Sequence, residues 1–479
     1  MKRWIALLLC LLLLLSGCAP TADAPEDENI PPADGTVDDT DSESGDPYVR
    51  LPDGVTVEML TADYWMKDAY KSTVMTADEI AAYNQTSDKL LYDHRGKAYA
   101  LTDVEPVVSG DMVRYYIQHD VPKNPEVFYV NGEPTARSFW LPLRENCRMN
   151  AVADNVTVLF GYSVKRTTLK SWPTDTFIAE EADDTFYDAN AASECMPYLP
   201  VCVLHESADG EWYYCLMYGM RGWVKKDAIA ICESRDEWMM RQENSEFLVV
   251  TGKELRLTED PLTPALSNLV LPMGTVLPLV ATDELPAEVN GRSTYGNYVV
   301  LLPVRDDDGT LYNEYALIPL AADVQVGYLP YTRENVLKQA FKLLGDRYGW
   351  AGMFGANDCS GMVHEIIACF GLTFPRASVS QQNAVGLKRV DVSKKAADKK
   401  AAILNETPAG TLLYFPGHIM IYLGKANGEY FSISSTGTFV QNGVTEHVSA
   451  VVVNSLNTQR ATGTTWLENI TAIQWVQPQ

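Results

Sequence analysis

The sequence is poor in the patterns that hold metals. Its six histidines are scattered through 479 residues, and neither Cys-x-x-Cys nor His-Glu-x-x-His occurs. The usual zinc sites are thereby excluded, and no metal or cofactor is expected. Positive charge is short as well: 38 Lys and Arg face 63 Asp and Glu, a formal net charge of −25. Nucleic acid and anionic lipid headgroups are disfavoured as partners by that balance. Between Ala19 and about Gly45 basic residues are missing altogether, and Asp, Glu, Pro, Thr and Ser leave almost nothing to bury. Such a stretch repels itself and cannot offset the entropy of ordering, so a disordered tether is expected there. Part of the net charge belongs to it and says little about the folded surface.

The N-terminus itself points to export. Lys2 and Arg3 precede an almost unbroken apolar run from Ile5 to Leu15, followed by Ser16, Gly17 and Cys18. A short basic segment, a short apolar core and small residues describe a signal peptide, too short for a mature membrane span. Leu15-Ser16-Gly17-Cys18 resembles the lipobox of bacterial lipoproteins. The resemblance implies that Cys18 is diacylated and tethers the protein to a lipid bilayer, each buried methylene contributing about 0.8 kcal/mol. A plain secretory peptide is the alternative. The expected location is the extracytoplasmic side of a bacterial envelope. In a host with two membranes this becomes the outer membrane and periplasm, since Ala19 and Pro20 carry no acidic residue.

The remaining length allows several compact units. Residues 51–155 mix short helical stretches with strand-like or buried runs such as Tyr115–Ile117 and Val127–Val130, and read as a cap on the domains C-terminal to them. Thr76-Ala-Asp-Glu-Ile80 has the form of a capped helix start. Residues 156–233 and 245–325 each carry short β-branched and aromatic runs divided by turns, with Asp209-Gly210 a tight-turn signal. Each matches a small, partly closed barrel. The aromatics Trp212, Tyr213 and Trp223 either line a peptide or glycan groove or fill the small cores.

Nine cysteines are present. Cys10 falls in the signal and Cys18 at the lipid site, leaving Cys147, Cys195, Cys202, Cys215, Cys232, Cys359 and Cys369. Disulfides persist in exported proteins. Cys195 with Cys232 and Cys202 with Cys215 are candidate pairs, although four cysteines allow three connectivities.

The chemistry is concentrated near the C-terminus. Residues 345–361 read GDRYGWAGMFGANDCSG, and His418 comes later in LLYFPGHIMIYLG. Thr332 caps an expected helix over about 334–344. Asn357-Asp358-Cys359 starts a second, continuing through Met362, Ile366 and Ile367 and ending before Gly371. Asp358 is placed to accept the free amides of the first turn, and Cys359 sits where those amides and the helix dipole favour negative charge. Strands are expected at 411–415, 418–423, 430–434 and 450–453. His418 would then begin a strand and face the helix N-terminus.

Residues 332–455 resemble the NlpC/P60 peptidases, cysteine hydrolases of bacterial cell walls with a papain-like core. The shared motifs are YGWAG (348–352), DCSG (358–361), FPRASVSQQ (374–382) and LLYFPGHIMIYLG (412–424). Both β units resemble bacterial SH3-type (SH3b) modules, most clearly in VLHESADGEWYYCLMYGMRGWVKKDAIA (203–230). RTTLKSWPTDTF (166–177) also looks like a segment of the first module. The order of parts resembles the subgroup that cleaves γ-D-glutamyl-L-diamino acid bonds. The expected fold is therefore multidomain α+β: a mixed N-terminal cap, two small SH3b β-barrels and a papain-like NlpC/P60 domain. The division is 1–17 signal peptide, 18–50 lipidated Cys18 and tether, 51–155 cap, 156–233 and 245–325 SH3b modules, 332–455 catalytic domain, and 456–479 C-terminal extension.

Geometry and resemblance together imply roles. Cys359 attacks an amide carbonyl, and His418 takes its proton and later returns one to the leaving amine. The Cys359 amide and the Tyr348 hydroxyl would hold the oxyanion. The resemblance implies that Asp358 and Ser360 recognise substrate. Asp358 would pair with the free α-amine of a stem peptide beginning with L-Ala, unless it serves only as the cap. Arg376 would position its loop or bind a substrate carboxylate. One departure stands out: the family orients its histidine with a third polar side chain, often another His, whereas no His, Asn, Asp or Gln occurs in Tyr430–Ser435. Ser434 aligns best, with Ser432 on the same strand face, as acceptor of the Nδ1 proton of His418. Peptidoglycan stem peptides or muropeptides are the implied partners, and the oligomeric state is undetermined. The competing readings are a non-catalytic wall-binding lipoprotein and another amidase or acyl-transfer reaction on the same fold.

Overall fold

The computed structural model describes residues 48–93, 95–119, 127–243 and 245–478. The signal, Cys18 and nearly all of the tether lie outside the described residues. No helix among the described residues is long and apolar enough to cross a membrane.

A six-stranded antiparallel sheet forms the C-terminal unit. Its order is Leu387–Asp391, Ala472–Pro478, Leu412–Phe415, His418–Ala426, Glu429–Gln441 and Val444–Ser455. The helices Arg333–Lys342 and Cys359–Ala368 pack on it, joining Leu337, Met362 and Ile366 to Ile419, Ile421 and Ile433 in one core. Two features differ from the sequence-based expectation. The strands around 430 and 450 are the two arms of a long hairpin. The residues expected as a C-terminal extension supply a strand inside the sheet, between Leu387–Asp391 and Leu412–Phe415. Pairing between segments so far apart leaves no local signature, because both strands are short and one of them, Leu387–Asp391, is largely polar.

The N-terminal region divides between two cores. Met59, Trp65, Tyr70, Met75, Ile80 and Tyr83 join the catalytic core. Thr73–Met75 pairs with Tyr331–Thr332 at the start of that unit. Thr76 and Glu79 form the expected capping box of the helix Ala77–Ser87. Residues from Leu91 to Val152 instead pack on the first β unit, bringing Val113, Tyr116, Ile117 and Trp140 against Phe160, Trp212 and Trp238. Tyr115–Ile117, expected as strand-like or buried, lies in the helix Gly110–His119. The reason is its spacing: Val113, Tyr116 and Ile117 recur at i, i+3 and i+4, which buries one helical face.

The first β unit is one seven-stranded sheet running Ala191–Cys195, Thr167–Lys170, Met220–Lys225, Trp212–Met217, Pro200–Glu206, Leu159–Ser163 and Ile229–Ile231. Its edge strands do not pair with each other, so the barrel stays open. The Asp209-Gly210 turn falls between the two expected strands, with Gly210 at φ 74°. Trp212 and Trp223 are fully buried, so these two fill the core and do not line a groove. All seven described cysteines are buried and free. The expected Cys202–Cys215 bridge fails for a geometric reason. Cys202 pairs with Leu216 and Cys215 with Val203, and the one-residue offset turns the two side chains into different cores. Cys195 and Cys232 also lie in different cores, at opposite edges of the sheet.

The second β unit is built differently from the first. Phe247–Val250 pairs with Val276–Pro278 and Val324–Val326, while Glu254–Arg256 with Val270–Pro272 and Asn297–Arg305 with Leu311–Pro319 form separate ribbons. Leu248, Leu271, Leu277, Val300, Leu302 and Ile318 share its core. These separate sheets stand where a second small, partly closed barrel was expected over 245–325.

Candidate active site

Cys359 is the first residue of its helix, and Asp358 is the N-cap, accepting from the Gly361 amide at 2.7 Å. Burial pushes the Cys359 thiol up to about 12. The Asp358 charge adds to that, while the Ile419 backbone and the Arg376 charge work against it. The Ile419 contact puts the sulfur against the start of the His418 strand. His418 is buried, with its ring 5.0 Å from Phe415 and 5.1 Å from Trp466. Burial, with help from Arg460, holds the imidazole down at about 3. Burial in a low-dielectric site thus works against the charged form of both groups.

Ser434 lies where a third residue was expected, its hydroxyl 3.0 Å from His418 Nε2. The sequence-based expectation had assigned this contact to Nδ1. With Nε2 engaged by Ser434, Nδ1 is the ring nitrogen left for the thiol. Ser432 points to Asn454 at 3.4 Å and plays no part. Tyr348 is half-buried, and burial, Cys359 and Asp358 all push its hydroxyl up. It therefore sits among the reacting groups as a protonated donor.

Asp358, Ser360 and Arg376 come together in one buried cluster. Arg376 reaches both Asp358 oxygens at 2.9 Å and the Ser360 hydroxyl at 3.0 Å. Ser360 also donates to Asp358 at 3.0 Å, and the Ala351 amide does so at 3.1 Å. Burial alone would raise the Asp358 carboxyl, but Arg376 and these donors hold it below the usual range. Both oxygens are thus committed inside the protein, and the cap role expected for Asp358 is met in full.

Beyond Arg376 the cluster crosses into the first β unit. Glu194 accepts from Arg376 Nε at 2.7 Å and from Arg166 at 2.9 and 2.5 Å. Arg166 also binds the Gly355 and Ala356 carbonyls and Asn357 Oδ1. Glu365, one turn and a half along the Cys359 helix, accepts from Asn357 at 2.6 Å and lies 3.5 Å from Arg166. Burial outweighs that guanidinium and raises the Glu365 carboxyl to about 7. Glycines make room for the crossing. A Cβ on Gly361 of DCSG would lie 2.8 Å from Arg376 and 3.0 Å from Glu194. One on Gly352 of YGWAG, at φ 83°, would lie 2.5 Å from the Glu194 Cβ.

Glu194 and Tyr187, both at this site, carried no usable sequence signal. Glu194 is a single acid in an ordinary strand, and its role depends on what it packs against. Tyr187 rests on Tyr348 and Trp350 with ring centroids 5.9 and 5.8 Å apart. A Cβ on Gly437 would lie 2.0 Å from its hydroxyl. Arg166 opens the RTTLKSWPTDTF segment, the one local hint of a site residue in this unit. Among the described residues no group of three or more His, Cys, Asp and Glu is arranged to hold a metal.

Residues 345–471 match the model of the NlpC/P60 family, and residues 177–225 match that of an SH3 domain of the SH3b1 type. A bifunctional muramidase/DL-endopeptidase, CwlT, of Bacillus subtilis (strain 168) is 33% identical over 114 residues, 22% of this chain and 30% of that protein. The likeness thus spans less than a third of that relative. A solved NlpC/P60 endopeptidase from Photobacterium damselae subsp. piscicida is alike in fold, with a TM-score of 0.65 and 16% identity. The likeness covers 90% of this chain and 96% of that one. The chain therefore contains an NlpC/P60 domain and one SH3b-type domain.

Proposed function

We propose that this chain, an NlpC/P60 domain joined to an SH3b-type domain, is a cell-envelope cysteine peptidase cutting the γ-D-glutamyl-L-diamino acid bond of peptidoglycan stem peptides. The observation that carries the reading is the trio itself: Cys359 at a capped helix N-terminus, His418 beginning the neighbouring strand, and Ser434 on Nε2. Because burial favours the uncharged pair, the proton moves from sulfur to His418 Nδ1 as the thiolate attacks the carbonyl carbon. The tetrahedral oxygen takes up negative charge against the Cys359 amide and the Tyr348 hydroxyl. Collapse breaks the C–N bond, and His418 returns the proton to the leaving amine. Water, deprotonated by His418, then releases the acyl group and restores the thiol. Ser434 fixes the ring but stabilises an imidazolium less than a carboxylate would, so turnover is expected to be modest.

A preference for fragments with a free N-terminal L-Ala rests on the family resemblance. Asp358 would meet that amine only by exchanging one of its present donors. Acylation at Cys18 would hold the enzyme at the bilayer and leave the tether to set its reach. Mass spectrometry of products tests the reading, with L-Ala-γ-D-Glu-diaminopimelate, its N-acylated form and intact muropeptides as substrates. Cleavage between D-Glu and the diamino acid, absent in Cys359→Ala, is the expected result. No cleavage by a folded protein whose Cys359 still reacts with an alkylating reagent would leave a wall-binding role.

A further inference from the structure

Arg460 lies in the loop between the strand Val444–Ser455 and the short helix Trp466–Asn469. Its guanidinium covers the Phe415 ring, 4.8 Å from the centroid. Phe415 in turn stacks on His418, with Trp466 meeting both rings edge-on. The loop is tied down locally. The Arg460 amide donates to Thr464 O at 2.9 Å, the Gly463 amide to Arg460 O at 2.8 Å, and Gln459 pairs with Val440. Arg460 is therefore held at the His418 end of the site by backbone and ring contacts.

Its charge is unanswered. Arg166 and Arg376 both close on Glu194, but among the described residues no carboxylate pairs with Arg460. A half-buried guanidinium without a counter-ion is unfavourable, and here it also opposes protonation of the base beside it. An anion brought by the substrate would remove both penalties. The reaction says which part of the substrate lies there. His418 must reach the leaving nitrogen at about 3 Å to protonate it. The groups attached to that nitrogen then occupy the His418, Phe415 and Trp466 side, which is where Arg460 stands.

We propose that Arg460 binds a carboxylate of the leaving diamino acid and so sets specificity on that side of the scissile bond. The assignment rests on the peptidase reading above. The planar guanidinium suits a carboxylate bidentately, and Lys would make only a point contact. Two sources supply the same chemistry: the α-carboxylate of a C-terminal diamino acid, and the side-chain carboxylate of diaminopimelate, which lysine lacks.

The test compares kcat/KM of the mature full chain on four peptides. They are L-Ala-γ-D-Glu-L-Lys, its C-terminal amide, L-Ala-γ-D-Glu-diaminopimelate and the α-amide of the last. If the α-carboxylate is read, charge-assisted pairing makes each acid about 10- to 100-fold better than its amide. If the side-chain carboxylate is read, both diaminopimelate peptides exceed both lysine peptides by that factor and α-amidation changes neither. Arg460→Met should bring whichever ratio the wild type shows, acid to amide or diaminopimelate to lysine, close to unity, and Arg460→Lys should restore part of it. A purely structural role would lower all four rates together and leave the ratio unchanged, which would overturn the proposal. So would a wild-type enzyme that cleaves all four peptides alike. Absence of cleavage of all four peptides would overturn the peptidase reading, and this assignment with it.

Discussion

Two β-rich units precede the catalytic domain, and only one of them enters its site. The first sends Arg166 and Glu194 under the Cys359 helix, each bonded to groups of the catalytic unit, and lays Tyr187 against Tyr348. The second touches the far end of the same helix. There Gln339 donates to Thr251 O at 2.6 Å, the Cys369 thiol reaches Val250 O at 3.8 Å, and Gly274 closes on Ala368 and the Glu365 carbonyl. A small cavity of about 160 Å³, lined by Arg166, Lys253, Asp346 and Glu365 among others, lies where the two units and the helix meet. The first unit offers charged side chains that complete a buried network. The second offers mainly backbone carbonyls and a glycine turn, which position the helix without touching its chemistry.

The contrast is broken most severely at Glu194. Glu194→Leu removes the carboxylate that two buried guanidiniums share, leaving Arg376 with Asp358 alone and Arg166 with Glu365 at 3.5 Å. One-sided removal of a buried ion pair costs about 3–5 kcal/mol. Urea unfolding should show that loss, together with a collapse of peptide cleavage. The corresponding lesion in the second unit is Gly274→Ala. Its φ of 82° and a Cβ 2.7 Å from Ala368 predict a loss of about 2 kcal/mol. Among substrates, the order of preference should survive, because the site side of the helix is untouched.

Glu365 sharpens the comparison through pH, since it belongs to the network reached by the first unit. Its carboxyl titrates near 7 folded against an ordinary 4.5. Between those values the unfolded chain has released a proton that the folded chain retains, so this group makes stability fall as pH rises through the window. Glu365→Gln should remove that slope, read as urea midpoints at pH 5 and pH 7. The smallest effect is expected at Tyr295 in the second unit, which is 92% exposed. Tyr295→Ala should change stability by less than about 0.5 kcal/mol and leave cleavage alone.

The elements legible in the sequence are those whose signals are short-range. Thr76 with Glu79, and Asp358 before Cys359, announced helix starts, and the structure has both caps. Ser434 was found by aligning its strand with the third polar position of the resembled family, although the ring nitrogen it meets is Nε2. The strand Ala472–Pro478 was missed because its partners, Leu387–Asp391 and Leu412–Phe415, lie far away in the chain. The disulfides were misjudged because spacing says nothing about which face a strand residue presents.

Residues 345–434 thus determined by themselves where a thiol, an imidazole and a helix N-terminus would stand, since capping and strand alternation act within a few residues. Only the tertiary structure decided that Asp358 is closed off by Arg376, that Glu194 of another unit anchors that arginine, and that Arg460 is left without a carboxylate partner among the described residues. Those are balances of charge against burial, and burial exists only once distant segments have packed together.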